Sequence, residues 1–288
     1  MFRNAMAAVP AVALAVAAQG ATVQPLGKDV GWLAGTSCNL LIVAGGKGVL
    51  MVDDQRASDI QETGAAVDQA YHLPIVEIVN THWHLDHAGG NAHFAEAGAL
   101  IVAQANVGKR LKVSQYMSAY KKLVPASPAA AWPRQSFERA MTIRFGNETV
   151  RLVHVANAHT DGDTLVKLVH ANVMHMGDVF FNGLFPFIDL DSGGSIQGLI
   201  RAVDQALAMS DKDTRFVPGH GGLATRAELA AYRAMLADVA ANVRRQIGEG
   251  HRLDAIVASR PAAAYKLDGD EDRFVAAVYA GYVPRAAK

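Results

Sequence analysis

Residues Asn80–Asn91 read NTHWHLDHAGGN. The stretch puts His82, His84, Asp86 and His87 within six residues, directly after the apolar, β-prone run Ile75–Val79. Residues two apart at a strand end lie on the same side, so His82 and His84 can address one ion. Asp86 and His87 fall on the turn that follows, where they can face a second ion beside the first. Gly89 and Gly90 let the backbone turn tightly and enter a helix. Imidazole nitrogen and carboxylate oxygen suit zinc, which they bind at roughly 2.0–2.2 Å.

Four ligands do not fill two metal sites, and three more candidates stand after other apolar runs. His159 lies in AHTDGD after Leu152–Val155, Asp178 in MGD after Val173–Met176, and His220 in PGHG after Phe216–Val217. In each case an apolar strand runs into a polar residue and then small ones, as a rigid scaffold presenting groups into a cleft requires. The remaining histidines read as core or surface residues, with His93 and His175 the best placed to support the ligands. Asp161 and Asp163 are candidates to order the loop around His159, and Asp53 or Asp54 to back the site from a strand end.

Around these motifs the chain alternates strands and helices. Cys38–Val43 and Gly48–Val52 flank Gly45-Gly46-Lys47 and predict a β-hairpin. Helices are expected over Ile60–Ala70, Asn91–Ala97 and Ala105–Tyr120, and a strand over Leu100–Ala103. The stretch Pro125–Pro133 is expected to be a mobile loop, because two X-Pro steps resist helix. Met141–Phe145, Thr149–Val155, Thr164–Val169, Val173–Met176 and Thr214–Val217 read as strands. Ser195–Met209 carries Ile196, Leu199, Ile200, Val203 and Leu207 at helical spacing, and the chain is mainly helical from Arg226. Strands and then helices occur in each half, which points to an α/β layered fold with helices covering sheets.

Composition narrows the function. The chain has 288 residues, 27 Lys+Arg against 27 Asp+Glu, and hence zero formal net charge. A 51% hydrophobic and 19% charged composition excludes a disordered chain, and the charge balance argues against nucleic acid as a partner. The one cysteine, Cys38, excludes an intramolecular disulfide and any multi-cysteine zinc site, and reads as a small buried hydrophobe. Residues 1–21 have the layout of a secretory signal: Arg3, an apolar run from Ala5 to Ala18, then small residues. No apolar stretch is long enough for a comfortable membrane span. The expectation is a periplasmic or secreted protein, with residues 22–288 forming one domain whose C-terminal portion is helical from about residue 226.

The ordered motifs THWHLDH, His159, Asp178 in MGD and His220 in PGHG resemble the dinuclear metallo-β-lactamase superfamily over roughly residues 30–225. The resemblance implies a four-layer αβ/βα sandwich with two metals, expected to be Zn²⁺ with iron as the alternative, at one edge of two facing sheets. It implies His82, His84 and His159 on the first metal, Asp86, His87 and His220 on the second, and Asp178 bridging them.

Such a pair of metals lowers the pKa of a bound water toward 7, so the expected nucleophile is a hydroxide and no serine or cysteine is needed. Asp86 is the candidate catalytic residue, orienting that hydroxide and moving its proton. The expected reaction is hydrolysis of a small-molecule carbonyl compound (lactam, lactone, ester or thioester), with β-lactamase activity in its range. Many lactamases of the superfamily have Cys or Ser where Asp178 stands, and some use a Lys where Phe181 stands. An Asp bridge is typical of glyoxalase II-like thioesterases and lactonases, which form the alternative reading, followed by the iron-dependent sulfur dioxygenases. Phe185 and Phe187, in the run Gly183–Ser195, are candidates for an apolar pocket wall.

Overall fold

A computed structural model of the protein describes residues 21–283. The leader expected over residues 1–21 lies, apart from Ala21, outside the described residues. The first sheet has seven strands in the order Gln24–Pro25, Val30–Ala34, Asn39–Gly45, Gly48–Val52, Ile75–Asn80, Leu100–Gln104 and Gln135–Phe137. Its first four strands are antiparallel, and those from Gly48–Val52 onward are parallel. In the hairpin Gly45 pairs with Gly48, leaving Gly46-Lys47 as a two-residue turn. The second sheet runs Ala140–Phe145, Glu148–His154, Thr164–Leu168, Val173–His175 and Arg215–Val217, with only the last pair parallel.

The central strands read as continuous apolar runs because both faces of each sheet are covered there, whereas Ala140–Phe145 at the edge alternates exposed and half-buried residues. Alternate residues divide between two layers of core. Leu41, Val43, Leu50 and Val52 of the first sheet meet Leu152, Val166 and Val173 of the second. Their neighbours Leu40, Ile42, Val49 and Met51 face outward onto Ala66 and Val67 of helix Ile60–Tyr71 and Phe94 of helix Asn91–Glu96. On the far side, Leu165, Met174 and Phe216 pack against helices Ile196–Ala208, Arg226–Gly248 and Glu271–Ala280. Helix, sheet, sheet and helix therefore stack as an αβ/βα sandwich of the α/β class, as expected.

Two local expectations are corrected. The helix predicted over Ala105–Tyr120 ends at Leu111, and Gln115–Met117 and Lys122–Val124 form a separate hairpin. The buried face of that helix is Val107, Gly108 and Leu111. One turn further on, the positions on that face are Ser114, Gln115 and Ser118, so the apolar stripe stops and nothing holds the helix onward. Pro125–Pro133, read as a free loop, is tied down. Ser127 N donates to Leu111 O at 2.8 Å, Ala131 is buried, and Ala131 O accepts from Asn91 Nδ2 at 3.0 Å.

Candidate metal centre

The seven predicted residues come together at one edge of the sandwich, each just beyond the C-terminal end of a strand. His82, His84, Asp86 and His87 follow Ile75–Asn80; His159 follows Glu148–His154; Asp178 follows Val173–His175; His220 follows Arg215–Val217. Strands of one sheet tether loops of the other. Asn39 donates through Nδ2 to Pro218 O and Gly221 O at 2.9 and 2.7 Å, holding the His220 loop, and Thr164 N donates to Thr81 O at 2.9 Å. Gly219 lies against Asp178: a Cβ there would stand 2.0 Å from Asp178 Oδ1.

The side chains form two groups. His82, His84, His159 and Asp178 make one, all buried, and Asp86, His87 and His220 make the other. Asp178 divides its oxygens between them. Oδ2 lies 3.6 Å from His159 Nε2 and 3.9 Å from His82 Nε2, while Oδ1 lies 3.1 Å from His87 Nε2 and 3.3 Å from His220 Nε2. Asp86 Oδ2 is 3.6 Å from His220 Nε2.

Four of the rings are held from behind, and the partner fixes the tautomer. A carboxylate or carbonyl can only accept, so the outer ring nitrogen must be the N–H. His87 Nδ1 donates to Asp53 Oδ2 at 2.8 Å, His159 Nδ1 to Phe187 O at 2.8 Å, and His84 Nε2 to Asp189 Oδ2 at 2.9 Å. Thr81 Oγ1 donates to Asp53 Oδ2 and so accepts from His82 Nδ1 at 3.1 Å. Each ring is left with a lone pair on the nitrogen that faces the centre. His82 Nε2 and Asp178 Oδ1 are buried with no well-directed hydrogen bond, an arrangement too costly to hold in a core without a partner.

Charge tells the same story. Burial pushes His82 well below the ordinary imidazole range and His159 down to about 4, so both are neutral near pH 7. Burial works against ionisation of Asp178, but His220 and His87 outweigh it and hold the carboxyl well below its usual range. Burial likewise opposes charge on His220, and Asp178 draws a proton onto it regardless. His82 and His159 are thus in the neutral state that ligation requires, while Asp178 draws positive charge onto the His220 side, where a bound cation would take the proton's place. The donor set fits two divalent ions: three imidazoles on one side, two imidazoles and Asp86 on the other, and Asp178 between.

The supporting residues expected from the sequence separate. Asp53 backs His87 and also accepts from Thr81 N at 2.7 Å. Asp54 accepts from Gly90 N at 2.9 Å and fixes the turn after the motif. Asp163 accepts from His159 N and Thr160 N and orders the His159 loop, whereas Asp161 faces away into a two-point pair with Arg110. His175 is buried and accepts from Gly177 N beside Asp178. His93 is exposed and packs on Phe94. Cys38 is buried as expected, with burial lifting its thiol to about 12, but it lies against Asp53 and His87 rather than in neutral core alone. Asp189 was not anticipated. It sits in PFIDLDSGG, a run without strand or helix periodicity, and its tie to His84 spans 105 residues.

The centre opens into a cavity of about 1010 Å³. Trp83, Leu85, Phe181, Leu184, Phe185 and Phe187 supply apolar wall, so Phe185 and Phe187 line the pocket as anticipated. Asp86, Asp178 and His220 face the same space.

The model of the metallo-β-lactamase superfamily matches residues 33–220. A hydroxyacylglutathione hydrolase of Erythrobacter litoralis (strain HTCC2594) is 32% identical over 108 residues, 37% of this chain and 35% of that protein. An uncharacterized protein of Aquifex aeolicus (strain VF5) is 27% identical over 51% of this chain and 68% of its own length. Among solved structures, an inverting sec-alkylsulfatase from Pseudomonas sp. shares the fold with a TM-score of 0.69 at 17% identity, over 92% of this chain and 51% of that one. A metallo-β-lactamase from Pontibacter korlensis superposes with a TM-score of 0.61 at 16% identity, over 76% of this chain and 99% of that one. The chain thus spans about a third of the first relative and half of the first structural neighbour. With the match covering more than half its length and the ordered histidine and aspartate motifs inside it, the chain belongs to the metallo-β-lactamase superfamily.

Proposed function

We propose that the protein is a hydrolase of carbonyl compounds (lactams and esters first, with thioesters and lactones the alternative) that works with two zinc ions, which His82, His84 and His159, then Asp86, His87 and His220, with Asp178 shared, would hold. The observation that carries this reading is the division of Asp178, one oxygen toward each group of imidazoles. When bound, the metals supply a water acidic enough to ionise near neutral pH and Lewis-acid polarisation of the carbonyl. Asp86, half-buried and facing the cavity, is placed to orient the attacking water and take its proton. The water oxygen joins the carbonyl carbon, the C–O, C–N or C–S bond breaks, and the leaving group departs with the proton that Asp86 returns. Trp83, Phe185 and Phe187 give this exchange an apolar wall.

The thioesterase reading rests on Asp178 itself and on the partial likeness to a hydroxyacylglutathione hydrolase. Leader-like residues 1–21 support a site of action in the periplasm or outside the cell, checked by the mass of the mature N-terminus. The function is tested on purified protein loaded separately with zinc and iron, with metal counted by elemental analysis. It is then assayed against nitrocefin, an aryl ester, a lactone and a thioester. Turnover with two zinc per chain is expected, abolished in His84→Ala. Stoichiometric iron with oxygen consumption and no hydrolysis would overturn the proposal.

A further inference from the structure

We infer that the substrate is amphipathic and anionic: an acyl compound with a bulky apolar body and a carboxylate at the end remote from the scissile bond, read by Arg273. This rests on the hydrolase reading above and names its substrate class.

A continuous aromatic wall leads from the metal centre to this residue. Phe187 lies 6.0 Å from the His84 ring and 5.7 Å from His159, and Tyr120 packs edge-on to Phe187 at 5.2 Å. The Arg273 guanidinium then sits 4.4 Å over the Tyr120 ring. All three residues line the same cavity as Asp86, Asp178 and His220. A substrate with its carbonyl at the centre therefore meets two aromatic rings and then a cation. The cavity is at the upper end of the size that encloses a drug-like molecule, far more than a bare acyl group fills. Tyr120 remains 49% exposed along this wall.

Arg273, Arg56 and Lys122 are the cations that line the cavity, and of its carboxylates Asp86 and Asp178 belong to the proposed metal groups, which leaves Asp270 beside Arg273. Asp270 Oδ2 pairs with Arg273 at 3.0 Å in a partly exposed contact, which keeps the pair weak, while Asp270 Oδ1 caps the helix by accepting from Arg273 N. Its effect is to aim the guanidinium across Tyr120. Arginine's planar fork matches a carboxylate in two-point geometry better than lysine's ammonium does. Arg273 stands on helix Glu271–Ala280, outside the matched region 33–220, so this end of the pocket belongs to the chain's own C-terminal portion.

The test compares p-nitrophenyl octanoate with the mono-p-nitrophenyl ester of octanedioic acid, which differ by the remote carboxylate. The wild type should favour the anionic ester in kcat/KM, through KM. Arg273→Gln should lower that preference roughly tenfold to a hundredfold, the value of a lost charge-assisted hydrogen bond, with Arg273→Lys intermediate and Arg273→Glu favouring the neutral ester. Independently of turnover, octanedioate should raise the melting temperature more than octanoate in the wild type and not in Arg273→Gln. An Arg273→Gln protein that keeps the anionic preference overturns the inference, as does a wild type without one. Should zinc-loaded wild type hydrolyse neither ester yet bind octanedioate through Arg273, the hydrolase reading fails and the anion site stands.

Discussion

At the scale of single residues, the centre is ordered as much by what lies behind the histidines as by the histidines themselves. Asp189 shows why. It accepts from His84 Nε2 through Oδ2, while Oδ1 accepts from the backbone of Asp191 and Ser192 at 3.0 and 3.1 Å. Ser192 in turn accepts from Trp83 Nε1 at 3.0 Å. The carboxylate thus ties the ligand loop to the pocket loop, and its hydrogen bond to His84 holds it below the ordinary carboxyl range despite burial. Asp189→Asn preserves the shape but removes the charge that makes His84 a strong donor to metal. Metal affinity, measured by competition with a chromogenic chelator, should fall roughly tenfold to a hundredfold in a protein with a wild-type circular dichroism spectrum. Unchanged affinity would reduce Asp189 to a loop cap. The seven proposed ligands were legible in the sequence because the chemistry demands unusual residue types packed into short motifs. Asp189 was not, because one acid among several in a loop carries no signal until the fold brings it across to His84.

At the scale of elements, burial decided which sequence expectations survived. Helix Ile196–Ala208 has a buried stripe, Leu199, Ala202, Val203 and Ala206, and Ser195 caps it by accepting from Gly198 N, so its limits could be read directly. The Ala105–Leu111 helix loses its stripe after Leu111, and propensity alone did not reveal the hairpin beyond it. The long helix Arg226–Gly248 starts on a reciprocal cap: Glu228 N donates to Thr225 Oγ1 at 3.3 Å and Thr225 N to Glu228 Oε2 at 2.7 Å. This helix packs Leu229, Met235, Leu236 and Val239 into the core on the outer face of the second sheet. Thr225→Ala leaves the first-turn amide without its side-chain acceptor and should cost about 1 kcal/mol in urea unfolding. Metal content should not change, since the cap lies outside both groups of ligands. A loss of metal in this variant would mean that the helix start and the His220 loop move together.

At the scale of the whole molecule, the layered architecture follows from central strands apolar on both faces, which a sandwich covered by helices satisfies. What the sequence did not convey is how the two sheets are fastened at the active edge, because that depends on loops meeting across the sandwich. His82, His84, Asp86 and His87 come from the first sheet, and His159, Asp178 and His220 from the second. Each proposed metal group draws on both. Bound ions would therefore cross-link the halves, in parallel with the hydrogen bonds from Asn39 to Pro218 and Gly221. Ions that bind the folded chain and not the unfolded one stabilise it by mass action, by about 4 kcal/mol when present at a thousandfold over Kd. For a domain of this size that corresponds to a melting temperature on the order of ten degrees higher. Dialysis against a chelator should lower the melting temperature by that order, and stoichiometric zinc should restore it. Because the ligands divide between the sheets, His220→Ala and His82→Ala should each blunt the restoration, although they follow strands of different sheets. A chelated protein that melts with the wild type would show that the sheets are held by the core and backbone clasps alone.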